Sequence, residues 1–110
     1  MRKTKNQTIR KRNKKKPLVI TNGAVAFWVY QGPILRSLLD LAKFLEIITE
    51  EQFAHHTQRV RPDGRAGGND FARWVADIIQ DKTCASALLR AKTRSAARVA
   101  VRRALARYDV

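Results

Sequence analysis

The residues of this chain whose type and spacing could do chemistry are cations, and the chemistry is phosphate binding. Arg90, Arg94, Arg98 and Arg102 recur every fourth residue, with Lys92, Arg103 and Arg107 among them. On a helix of 3.6 residues per turn this spacing stacks guanidinium groups into a cationic ridge. A second set opens the chain: Arg2, Lys3, Lys5, Arg10, Lys11, Arg12, Lys14, Lys15 and Lys16. Guanidinium and ammonium groups are the usual partners of phosphate oxygens.

The formal net charge of +14 is segregated. Residues 1–16 hold nine Lys/Arg and no acid, residues 17–80 hold six basic and seven acidic side chains, and residues 81–110 hold eight basic and two acidic. The body is thus near neutral and both ends are cationic. Like charge at this density repels itself unless a polyanion neutralises it. If six to ten of these cations met phosphate, the log–log salt slope of binding would be roughly −5 to −9. Neither basic segment contains an aromatic before Tyr108, so base stacking is not expected from them. Backbone contact with duplex DNA or structured RNA is the natural use. The bland readings are a solubilising tail, a nuclear address at Lys14-Lys15-Lys16 in a eukaryotic host, or a solvated helix face. A membrane-surface helix fits poorly, because the apolar stripe Ala97, Val101, Ala104, Leu105, Tyr108 lacks Trp or Phe anchors.

Other chemistries find little support. His55 and His56 are neighbours, about 100° apart on a helix, and poorly placed to share a metal. Cys84 is the single cysteine, with no Cys or His at zinc spacing. Asp40, Glu46, Asp70 and Asp77 come with no nucleophile–base constellation. Gly64–Gly68 lacks the Lys-Ser/Thr of a phosphate loop, although Arg61 and Arg65 could add a phosphate contact. No enzyme activity, cofactor or metal is expected. His55, His56, Asn69, Asp70, Phe71 and Trp74 read as structural: one histidine packs against the Asn69–Trp74 turn and donates a hydrogen bond to Asn69 or Asp70. Trp28 joins Trp74 in the core, with a partner-binding groove as the functional alternative.

These side chains need elements to hold them. Residues 1–16 lack apolar periodicity and are expected to be a disordered tail. Leu18–Ile20 and Ala24–Tyr30 flank Asn22-Gly23, which suggests a hairpin or an extended segment. Ser37 caps a helix carrying Leu38, Leu41, Ala42, Leu45 and Ile48. Thr49-Glu50-Glu51-Gln52 is a capping box opening a short helix to about His56. Asn69 or Asp70 caps a helix with a Phe71, Trp74, Val75, Ile78 face, and Asp81 caps the next, where Leu88 and Leu89 continue the core. Residues 90–108 have no Gly or Pro and high helix propensity.

Residues 24–89 carry a pattern: Phe27, Gly32, Leu35-Arg36-Ser37-Leu38-Leu39-Asp40-Leu41-Ala42, Phe53-Ala54-His55-His56-Thr57 and Asn69-Asp70-Phe71-Ala72-Arg73-Trp74-Val75-Ala76-Asp77. This resembles a family of small uncharacterised archaeal and bacterial domains sharing "F…G…SLxELAxxL…FxxH…NDFxxWVxDV". The resemblance implies a fold type and supplies no reaction. The loop before Asn69 is longer and richer in Gly and Arg than the pattern, and the basic ends lie outside it.

The expectation is a mainly α protein: a disordered basic tail (1–16), a small helical domain with a short N-terminal extended segment or hairpin (17–89), and a long basic C-terminal helix (90–110). Its expected function is non-enzymatic nucleic-acid binding, with DNA packaging slightly favoured over a ribosomal role. The body would position the two cationic arms or self-associate through Ala97, Val101 and Leu105; the alternative is a protein-interaction module whose Phe27–Trp74 body binds a partner, or a ribosome-associated protein whose basic ends aid RNA assembly. With no apolar run after the N-terminal charges and none of transmembrane length, a soluble protein of the cytoplasm, nucleoid- or ribosome-associated, is expected.

Overall fold

Short-range capping sets where the helices begin. A computed structural model describes residues 15–58, 63–64 and 67–110. Helix α1 (Leu38–Leu45) starts where Ser37 Oγ accepts the Asp40 N–H at 3.1 Å. Helix α2 (Glu50–Thr57) starts at a complete capping box, with Thr49 and Gln52 each accepting the other's backbone N–H. Asn69 caps α3 (Asp70–Trp74), Asp81 caps α4 (Lys82–Arg90) and Thr93 caps α5 (Arg94–Leu105), each accepting an N–H three residues on. Each cap satisfies a donor the helix leaves unpaired.

The protein is mainly helical. Helix α5 packs against both α1 and α4, α4 packs against α3, and α3 against α2. Leu38, Leu41, Leu45, Phe71, Val75, Leu88 and Val101 are fully or almost fully buried where these helices meet. A buried Leu or Val contributes about 1.5–3 kcal/mol, so these faces carry the fold.

Helix α3 does not end as a regular α-helix. It runs into a π-helical turn, Val75–Ile79, closed by Gln80 in the left-handed region with φ 65°. The wider turn shifts the face by a residue, so Ile79 is buried while Ile78 is only partly so. The plain 3.6-residue spacing had pointed to Ile78.

Among the described residues the extended segments form two small pairs. Strand β1 (Lys16–Pro17) pairs in parallel with β4 (Tyr108–Asp109), and β2 (Phe27–Trp28) pairs antiparallel with β3 (Ile34–Leu35). The hairpin therefore turns at Gln31-Gly32-Pro33 and not at Asn22-Gly23. Asn22 Oδ1 instead accepts the Ala24 N–H, and the Thr21 N–H donates to Arg36 O. The Asx turn and this long-range bond use the groups a hairpin ladder would need. Trp28 faces outward at 65% exposure, and Leu89 at 53%, so neither belongs to the core.

Residues 90–110 are not a single appended helix. The chain breaks at Ala91–Thr93, and Ala97, Val101, Ala104 and Tyr108 are buried in the common core. Their small side chains let α5 lie close to α1 and α4. The stripe proposed for self-association is thus used within one chain.

Gly32 sits at the tightest approach in the hairpin turn. A Cβ there would meet Val29 Cγ1 at 2.8 Å and Gln52 Nε2 at 3.0 Å. Gln52 Nε2 donates to the carbonyls of Tyr30 and Gln31, so it cannot move freely. Gly32→Ala should cost about 1–3 kcal/mol by overpacking. In urea titrations, Gly32→Ala combined with Val29→Ala should cost less than the sum of the two single changes; simple additivity would show that the clash is not the cause.

Candidate functional site

The two cationic ends of the chain meet. The Lys16 N–H donates to Arg107 O at 2.9 Å, and Lys16 and Pro17 run alongside Tyr108 and Asp109. The Lys16 ammonium also lies 5.6 Å from the centre of the Tyr108 ring, a cation–π distance. Lys16 therefore sits beside the end of α5, where Arg103 and Arg107 are exposed.

Asp81 holds this junction. Its carboxylate is 2% exposed and accepts from three groups: the Cys84 N–H at 3.0 Å, Arg107 Nη2, which lies 3.0 and 3.2 Å from its two oxygens, and the Tyr108 hydroxyl at 2.7 Å. Burial alone would raise its pKa. The Cys84 N–H, the Tyr108 hydroxyl and the Arg107 charge outweigh that and hold it below its ordinary value of 3.8. The same network pushes its neighbours the other way: burial, then Asp81, raise the Tyr108 hydroxyl, and burial with the Asp81 charge pushes the Cys84 thiol up to about 12. Cys84 is thus an inert core thiol.

The arginine ridge is engaged within the chain. Arg94 Nη1 donates to Ile48 O at 2.9 Å, in the connection between α1 and α2, and Arg98 Nε to Leu45 O at 3.2 Å, at the end of α1. Arg94 also meets Glu50 at 3.3 Å, Arg98 meets Glu46 at 3.9 Å, and Arg102 pairs with Glu46. The uninterrupted cationic face expected from the four-residue spacing is therefore a ladder interleaved with two carboxylates. Arg90 ends α4 and is exposed, and Lys92 donates to Leu89 O.

Arg2, Lys3, Lys5, Arg10, Lys11, Arg12 and Lys14 lie outside the described residues, as do Arg61 and Arg65. Lys15 and Lys16 are described and exposed.

The residues read as structural cluster under the β2–β3 hairpin. His56 is buried; its Nε2 accepts the Tyr30 N–H at 2.9 Å, which leaves Nδ1 to carry the proton toward Asp70 Oδ2 at 3.0 Å. Phe27 stacks on Phe71 and meets His56 and Trp74 edge-on. Trp74 Nε1 donates to Val25 O, and Asn69 Nδ2 donates to Leu88 O. His55 stacks on Tyr30 with 4.0 Å between ring centres. With both its nitrogens engaged in this packing, His56 is poorly placed as a general base. Beside it, a cleft of about 370 Å³ is lined by Trp28, Arg73, Trp74, Asp77 and Ile78, among others.

Among the described residues no group of three or more His, Cys, Asp or Glu could hold a metal ion, and no helix is long and apolar enough to cross a membrane. Capping by Asp81 is readable from the sequence. Its pairing with Arg107 and Tyr108 is not, because the partners lie 26 and 27 residues away with no intervening periodicity.

Asp81→Asn keeps a capping oxygen but loses the charge that Arg107 meets. Arg107 is 41% exposed, which tempers the loss to about 1–3 kcal/mol. The lowered pKa makes the ionised carboxylate stabilising above its unfolded value, and this stabilisation is lost as pH falls through the lower folded value. Thermal melts should show the native protein losing stability below about pH 4, with a shallower acid limb for Asp81→Asn. Identical limbs would mean that Asp81 is not the titrating group.

No family model matches the chain, and neither a curated protein nor a solved structure is similar to it.

Proposed function

We propose that this is a non-enzymatic protein that binds nucleic acid through its phosphates, using a composite cationic pole. The carrying observation is the parallel pairing of Lys16–Pro17 with Tyr108–Asp109. It sets Lys16, at the end of the basic N-terminal run, beside Arg107 at the end of α5, so that cations separated in sequence stand together. Charges brought together give a stronger local potential than the same charges at opposite poles.

Tyr108 supports backbone contact over base readout. It is the single aromatic in the two basic segments, and it is buried with its hydroxyl on Asp81, so it offers no face for a base. Duplex DNA and structured RNA both fit, with an architectural or DNA-packaging role favoured and a cytoplasmic, nucleoid-like setting.

One observation favours a second reading, a protein-interaction module. Trp28 is exposed, pairs across the hairpin with the exposed Ile34, and borders the 370 Å³ cleft. Exposed tryptophans are frequent anchors of protein interfaces. A protein that co-purifies after nuclease treatment and is lost with Trp28→Ala would favour it.

The nucleic-acid reading is tested by anisotropy with a labelled DNA duplex and an RNA hairpin across a salt series. Binding at about 50 mM salt is expected, with a log–log slope of roughly −5 to −9. Removing residues 1–14, which leaves the Lys16 pairing in place, should weaken binding to all sequences and flatten the slope. Absence of binding to both nucleic acids would end this reading.

A further inference from the structure

We propose that the seam between α1 and α5 is a second phosphate-binding surface, with Glu46 and Glu50 occupying the positions that phosphate oxygens of a nucleic-acid backbone would take. The proposal rests on the nucleic-acid reading above and extends it to a surface that the chain itself masks.

Arg94, Arg98 and Arg102 lie one turn apart on the same side of α5, about 6 Å per step along the axis. Two of them are anchored by uncharged groups. Arg94 Nη1 holds Ile48 O in the α1–α2 connection and Arg98 Nε holds Leu45 O at the end of α1. These bonds orient the guanidinium planes and consume one donor each, out of five per arginine. Other donors of Arg94 and Arg102 meet Glu50 and Glu46, and the Arg98 Nε that holds Leu45 O also lies 3.9 Å from Glu46.

Those carboxylates are the replaceable part. The Glu50 side chain is 77% exposed and the Glu46 side chain 39%, so water and salt reach both. Ion pairs at such positions hold weakly and are screened. Three guanidinium groups face two carboxylates, which leaves one uncompensated positive charge to attract a polyanion. A phosphate oxygen approaching the ladder finds donors already oriented by the Leu45 and Ile48 carbonyls, and preorganised donors lose less freedom on binding. Rotation of two surface glutamates about their side-chain bonds suffices to admit it. The ladder is also continuous with the proposed pole, since Arg102 is followed by Arg103 and Arg107 toward the end of the chain.

The test compares duplex-DNA binding by the native protein, Glu46→Gln/Glu50→Gln, and Glu51→Gln/Asp77→Asn. The two double variants remove the same formal charge, but Glu51 and Asp77 make no ion pair with the ladder. Freeing the ladder should tighten binding about tenfold at low salt and steepen the log–log slope by about 2 to 3. The control should gain less and keep the native slope. Adding Arg102→Gln, which removes the most exposed rung, to the Glu46→Gln/Glu50→Gln protein should give back part of the gain. Circular dichroism melts confirm that each variant is folded. Equal gains in the two double variants, or no gain with glutamates replaced, would overturn the proposal while leaving the pole intact. Failure of the native protein and both double variants to bind any nucleic acid would overturn both.

Discussion

A buried carboxylate sets the constraint on which both ends of this protein depend. Asp81 stands at the N-terminus of α4 with almost no solvent exposure. An isolated charge there would be severely unfavourable. It is stable because a helix N–H, a guanidinium and a phenol converge on it. Two of those donors come from Arg107 and Tyr108, just beyond the last helix, and the backbone of the same residues receives Lys16. One anion thus closes the helical core and fixes the strand that receives Lys16.

The arginines of α5 show a related economy. A domain of this size has a small core, and helix ends inside it leave carbonyls that need donors. Arg98 supplies one at Leu45, the end of α1, and Arg94 supplies another at Ile48, in the connection that follows. Positive charge near a helix C-terminus is also favourable electrostatically. The same side chains therefore serve the fold and define the surface at which a polyanion competes with Glu46 and Glu50. At the other side of the molecule the hydrogen bonds of His56, Trp74 and Gln52 tie the hairpin to α2 and α3, so a segment with few ladder bonds is still held.

Much of the helical architecture was legible in the sequence. Ser37, Thr49 with Gln52, Asn69 and Asp81 announce helix starts, because a cap acts over three residues and needs only local chain. The apolar spacing of Leu38, Leu41 and Leu45 marked the core face of α1 for the same reason. The hairpin was placed one turn too early: Asn22-Gly23 has turn chemistry, but the pairing partner of Phe27 and Trp28 was decided by Leu35 packing in the core and by Gln52 gripping the turn at Gln31. The π-helical turn was invisible, since its residues have ordinary helical composition and the extra residue is accommodated by packing. Trp28 looked like core because apolarity predicts a preference, and only the packed hairpin decides which face is covered.

By itself, the sequence determined the segregation of charge, the mainly helical class and the caps that start the helices, all of which follow from composition or from neighbours a few residues apart. The tertiary structure alone decided what the cations face. Arg94, Arg98 and Arg102 met the end of α1 and the connection after it, 46 to 56 residues away, and Arg107 met Asp81. A guanidinium reads the same in the sequence whether it faces water, a carbonyl or a carboxylate. Which one it meets depends on helix packing, which is a sum of many buried contacts and is carried by no single motif.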